Sequence, residues 1–207
     1  MLRFRRDCTL ASILGRSDID GLLHEVAARE SSSTELLFLP YLAGERTPHN
    51  DANARGVFMG LDQTTTAADM TRAVLEGVAY SIREARKVLA AAGSPIDSVG
   101  VAGGGTRNAF WLQIISDLSG LTLSRISGTE LGPAFGAARL ARIALTGEAV
   151  EAICTKPPVA DRFVPDPSRA PEWAANFKRY GDLYTALRSE FQRPPGLQMP
   201  ACTDDYA

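Results

Sequence analysis

An apolar run, Val99-Gly100-Val101-Ala102, leads into three consecutive glycines, Gly103-Gly104-Gly105, and then into a helix-like stretch opening at Thr106-Arg107-Asn108. This pattern predicts a short buried strand, a glycine turn and a helix, the connection from which α/β folds are built. Glycines at such a junction allow positive φ and leave no Cβ between the backbone and an approaching group. The helix that follows offers unpaired N–H groups and a partial positive charge, which suit a phosphate or a purine edge. Two readings therefore stand: a plain strand-to-helix turn, or a nucleotide site. The dinucleotide pattern G-x-G-x-x-G is incomplete, because Asn108 stands where the third glycine belongs, and the Lys-Ser/Thr ending of a P-loop is missing.

The rest of the chain supplies alternating strands and helices, and its class is α/β. Leu10–Ala28 reads as one or two short helices broken near Gly15, with Ser17-Asp18 as a cap. Leu36–Leu39, ended by Pro40, and Val57–Leu61 have strand length, and Gly44–Gly56 between them is polar and irregular. Thr66-x-x-Asp69 forms a capping box. Behind it Met70, Ala73, Val74, Gly77, Val78, Ile82, Ala85, Val88 and Leu89 recur at helical spacing up to Gly93. Phe110, Ile114, Ile115 and Leu118 mark a further helix stopped by Gly120, and Leu121–Ile126 a third strand. Pro133 suits the first position of a helix to Thr146, whose small residues permit close packing. Pro157 and Pro158 open a loop running to Pro171. Trp173, Phe177, Tyr180, Leu183, Tyr184, Leu187 and Phe191 then line one side of a last helix, as core rather than as a base-stacking platform.

Composition narrows the function classes. The 207 residues, 45% hydrophobic and 22% charged, suffice for one globular domain with a real core. A net charge of −2, with no Lys/Arg stripe interleaved with aromatics, excludes a basic nucleic-acid surface. No apolar run approaches the roughly 20 residues of a membrane span, and the basic start Met1–Arg6 is followed by too short an apolar stretch for a signal peptide. Cys8, Cys154 and Cys202 lie far apart, as expected of reduced thiols in a cytoplasmic protein.

Two further segments make the glycine signal specific. Residues 40–56, Pro-Tyr-Leu-Ala-Gly-Glu-Arg-Thr-Pro-His-Asn-Asp-Ala-Asn-Ala-Arg-Gly, closely resemble a loop of bacterial xylulokinases. From Gly56, the series Gly-Val-Phe-Met-Gly-Leu, then Asp69-Met70 and Ala73-Val74-Leu75-Glu76, resembles the second signature of the FGGY carbohydrate kinases. Gly103–Asn108, Trp111 and Gly132–Ala141 continue the resemblance in the same order, so that it covers about residues 8 to 192.

The resemblance implies an actin-like ATPase fold of ribonuclease H type, a mixed sheet flanked by helices, of which this chain is the C-terminal lobe. It further implies residues 1–35 as the helical segment of a truncated lobe and 36–192 as the nucleotide-side domain, while Pro194-Pro195-Gly196 and Pro200 predict a disordered tail over 193–207. ATP with Mg²⁺ is the implied cofactor set, and D-xylulose the implied acceptor, with another sugar such as a gluconate or ribulose as the alternative. Gly103, Gly104, Gly105 and Asn108 match the motif that carries the adenosine end of the nucleotide, and Gly132 and Gly136 lie in a neighbouring turn and helix.

In this family the phosphate loops, most sugar contacts and the general-base aspartate precede the region this chain resembles. Asp51, Asp62, Asp69, Asp97 and Asp117 fall in other motifs. No residue is therefore assigned to catalysis or to the metal, and the chain by itself is expected to be inactive. A homodimer or association with the N-terminal lobe is the expected assembly; a non-catalytic binding module is the competing class. Among the remaining residues, His49 orders its loop rather than serving as a catalytic group. His24-Glu25 forms a solvated helix face. Glu45 and Arg46 make a loop ion pair or face the cleft. Asn50-Asp51 forms a turn, with a sugar or Mg²⁺ contact as the alternative for Asp51, and Asn108 caps its helix while lining the ligand.

Overall fold

The computed structural model describes residues 10, 13–16, 18–29, 35–127, 133–155 and 158–193. The tail from 194, Cys8, Cys202 and Gly132 lie outside these residues. Helix α1 (Ile19–Ala27) starts where expected, with the Asp18 side chain accepting from the Gly21 N–H. Strands β1 (Leu37–Leu39) and β2 (Val57–Met59) pair antiparallel, with Phe38 opposite Phe58.

Helix α2 (Ala67–Ala91) follows, and the Thr66/Asp69 capping box forms in full. Gly77 lets α2 press on β1: a Cβ at that position would lie 2.3 Å from the Phe38 carbonyl oxygen. The expected apolar stripe holds only along the first four turns. Val88 and Leu89 are exposed, because the C-terminal end of α2 runs out beyond the elements that cover it. The buried stretch of α2 also encloses an ion pair that periodicity does not reveal, Arg72 Nε to Glu76 Oε1 at 2.8 Å.

The second sheet has the order β3-β4-β5, from β3 (Ser98–Val101), β4 (Thr122–Ile126) and β5 (Val159–Phe163). β3 runs parallel to β4 and β5 antiparallel, so the sheet is mixed. Helix α3 (Ala109–Ser119) connects β3 to β4 and ends before Gly120. The sheet differs from the sequence expectation in two places. β3 is not fully buried: Val99 and Val101 turn to the core, whereas Ser98 and Gly100 are exposed, because among the described residues β3 is at the sheet edge and only one of its faces is covered. The expected loop from Pro157 to Pro171 contains β5, whose sequence Val-Ala-Asp-Arg-Phe has little strand signal of its own. Pairing with β4 makes it a strand, and Arg125 and Asp161, directly opposite in register, form an ion pair.

Helix α4 (Pro133–Thr146) has the predicted bounds, followed by the short α5 (Val150–Ile153). Its small residues do not meet a close neighbour among the described residues. Ala134, Gly136, Ala137, Ala138 and Ala141 are exposed, as are Phe135, Leu140 and Leu145. Helix α6 (Ala170–Phe191) is the last described element, with Trp173, Tyr180, Leu183 and Tyr184 buried as core. The main core joins one face of α2, whose C-terminal end it leaves uncovered, to α1, α3, β1, β4 and α6.

Candidate nucleotide-binding turn

β3 ends at Val101, and the backbone turns at Gly103 with φ 101° and ψ 176°, a conformation closed to side chains of L residues. The helix expected to open at Thr106 begins instead as a 3₁₀ turn, Gly104–Arg107, before α3 starts at Ala109. The Gly103 carbonyl holds this turn shut by accepting from the Thr106 N–H at 3.1 Å and from its hydroxyl at 2.7 Å. The Thr106 carbonyl in turn accepts from Arg125 Nη1 at 3.2 Å. Because Arg125 is itself fixed by Asp161, the sheet sets the position of the glycine turn.

Asn108 is the N-cap of α3: its side-chain oxygen accepts from the Trp111 N–H at 2.9 Å. Its amide nitrogen has no acceptor among the described residues. On the outer side of the turn there is open space, for a Cβ built on Gly103 or Gly104 would meet no atom within 4 Å. The same holds for Gly136 on α4. Gly103, Gly104, Gly105 and Asn108 thus form one braced, outward-facing backbone turn at a sheet edge. Such a turn can hold a ligand. It carries no carboxylate or imidazole for proton transfer, and among the described residues no three His, Cys, Asp or Glu side chains gather to hold a metal ion.

A second polar cluster lies where the loop 40–56 meets α2 and α6, and no sequence signal singled out its central residue, Glu84. Tyr180 donates to the Tyr41 hydroxyl at 2.9 Å, and Tyr41 donates to Glu84 Oε2 at 3.3 Å. Burial pushes the Glu84 carboxyl up to about 7, against the hydrogen bond from Tyr41. His49 stacks on Tyr184, with ring centres 3.5 Å apart, and burial pushes its imidazole below the ordinary value. Asp51 is saturated. It accepts from the Asn53 and Ala54 N–H groups, the Tyr184 hydroxyl and Gln192. Burial alone would raise its carboxyl, and these donors together pull it below the usual range.

These contacts hold His49 and Asp51 against α6. Glu45 accepts from the Thr47 N–H at 2.7 Å rather than pairing with Arg46, which is exposed. His24 and Glu25 lie on an exposed helix face.

The chain matches the model of the FGGY family of carbohydrate kinases, C-terminal domain, over residues 5–145. It is 37% identical over 178 residues to a xylulose kinase of Escherichia coli strain K12, an alignment covering 86% of this chain and 37% of the relative. A crystal structure of a xyloylose kinase from Brucella ovis superposes with a TM-score of 0.76 at 38% identity, covering 87% of this chain and 37% of that one. Gluconate kinase from Lactobacillus acidophilus superposes with a TM-score of 0.67 at 27% identity, over 84% of this chain and 35% of that one. The chain therefore spans little more than a third of the length of these relatives. Fold, ordered motifs and the family match agree, and the chain belongs to the FGGY family of carbohydrate kinases, as a C-terminal domain with the actin-like ATPase architecture.

Proposed function

We propose that this chain is the nucleotide-side lobe of an ATP-dependent sugar kinase that transfers a phosphoryl group to a primary hydroxyl of D-xylulose. The observation that carries the nucleotide reading is the turn itself. Gly103 is in a glycine-only conformation, the space outside Gly103 and Gly104 is open, and Arg125 and Asn108 brace the turn from behind. Gly103, Gly104, Gly105 and Asn108 hold the adenosine end of ATP. The D-xylulose reading rests on the resemblance of residues 40–56 and on the 37% identity to a xylulose kinase. The likeness to a gluconate kinase keeps a second sugar open.

Phosphoryl transfer needs charge neutralisation around the γ-phosphate and a base for the attacking hydroxyl. The described residues near the turn do not fit Mg²⁺, for no three His, Cys, Asp or Glu side chains gather there. The phosphate loops, the base and the metal ligands belong to the part of the family fold that this chain does not span. By this reading the chain alone binds nucleotide and does not phosphorylate sugar, and it works with an N-terminal lobe in the cytoplasm. The exposed apolar residues of α4 suit such a lobe as neighbour.

Calorimetry with ADP tests the site: saturable binding in the millimolar range or tighter is expected, weakened in Gly103→Val. Absence of ADP binding at several millimolar defeats the nucleotide reading. Formation of sugar phosphate from ATP, Mg²⁺ and D-xylulose by the chain alone, at ordinary kinase rates, defeats the division of labour.

A further inference from the structure

Away from the glycine turn, α2 and α6 form the walls of an open groove of about 540 Å³ lined by Pro48, Arg83, Glu84, Lys87, Phe177 and Lys178 among others. Arg83 and Lys87 also line a second hollow of about 310 Å³, with Arg86, Pro95 and Ile96. These two cations sit one turn apart on the same helix, and each lies 4.3 Å from the centre of the Phe177 ring. Like charges at that spacing repel, and none of the described carboxylates forms an ion pair with either.

The neighbouring groups do not supply the missing negative charge. Lys178 is neutralised by Asp182 at 2.5 Å. Arg86 is committed to Asp97 and to the carbonyls of Ile96 and Ser119. Glu84 is in the groove and attracts Lys87, yet its Oε2 is taken up by Tyr41 at 3.3 Å and lies 3.5 Å from His49 Nε2, and it forms no ion pair with Arg83 or Lys87, so it is a partial counter-charge. Burial also pushes the Arg83 guanidinium down, although arginine keeps its proton, so a partly dehydrated positive charge remains. A ring under two cations, with a carboxyl able to exchange hydrogen bonds with a hydroxyl, describes one kind of guest.

We propose that the groove between α2 and α6 binds a small organic phosphate, its phosphoryl group held by Arg83 and Lys87 and its hydroxylated body toward Glu84 and Phe177. Guanidinium and ammonium groups are the usual partners of phosphate oxygens. A volume of this size suits a sugar monophosphate. The site is separate from the glycine turn and stands whether or not that turn binds nucleotide, for neither groove nor hollow includes residues 103–108.

The test is an NMR titration of the full chain with D-ribose 5-phosphate, with D-ribose, inorganic phosphate and a short poly-glutamate peptide as comparison ligands. Saturable shifts are expected at α2 residues 80–91 and α6 residues 174–182, with ADP failing to displace the sugar phosphate. Lys87→Gln, an exposed substitution whose fold is checked by thermal melting, is expected to weaken binding about tenfold, the loss of one charge-assisted contact. Arg83→Gln with Lys87→Gln should abolish it. The proposal is overturned by shifts confined to residues 103–108, by affinity unchanged in Lys87→Gln, or by no saturation at about 20 mM, well beyond a millimolar site. Equal affinity for inorganic phosphate, or tighter binding of the peptide, overturns the assignment to an organic phosphate.

Discussion

At Gly103 the backbone sits at φ 101°, and no other residue type occupies that region without strain. Gly103→Ala is expected to cost about 1–2 kcal/mol in urea unfolding. Asn108→Ala, which removes the α3 cap, is expected to cost about 1 kcal/mol. A cost below a few tenths in both would mean that the turn is not held as described. Glu84 makes a pH-dependent prediction. Its folded-state value, about 7, lies above its ordinary value of 4.5, so the stability it contributes is full below about pH 4.5 and is lost as the pH rises through 7. His49, with a lowered value, acts in the opposite sense over the acidic part of that range. The informative quantity is therefore the difference between proteins. Glu84→Gln keeps an acceptor for Tyr41 and should melt higher relative to the unmodified chain at pH 8 than at pH 5. Equal differences at both pH values would rule out the buried carboxyl as the cause.

Contact between elements depends on a few close approaches. α2 crosses β1 at Gly77, where a Cβ would stand 2.3 Å from the Phe38 carbonyl oxygen, a backbone atom that cannot swing aside. Gly77→Ala is predicted to force the two elements apart and to destabilise the chain by about 1–3 kcal/mol, the range of overpacked cores. Chemical denaturation measures it, and a neutral substitution would show that the crossing is looser. Spacing along the chain identified α2 and its cap, because a capping box and a 3.6-residue apolar repeat are local properties. The same reasoning missed β5. Val159–Phe163 becomes a strand only by pairing with β4, through a partner 36 residues earlier that brings Arg125 to Asp161.

At the scale of the molecule, α4 is the outlying element. Phe135 is 41% exposed, Leu140 68% and Leu145 87%, on a helix whose small residues suit close packing. Apolar surface of this kind favours association. Light scattering after gel filtration is expected to show the chain's mass rising with concentration, and Leu140→Lys with Leu145→Lys is expected to reduce the rise. A strictly monomeric chain at about 100 μM would count against the exposed face as a contact surface.

The alternation of strands and helices, the helix caps, the glycine turn and the membership of a kinase family were all written in the order of residues, because each depends on local spacing or on motifs read in sequence. Tertiary structure decided what those residues do to one another. It made β3 an edge strand rather than a buried one, tied the turn to Arg125 and Asp161, and gathered Tyr41, Glu84, His49, Asp51, Tyr180 and Tyr184 from three separate segments into one buried cluster. It also placed Arg83 and Lys87 over a ring about 90 residues further on. Such juxtapositions arise from packing between distant segments, where burial and charge are set by neighbours that spacing along the chain does not name.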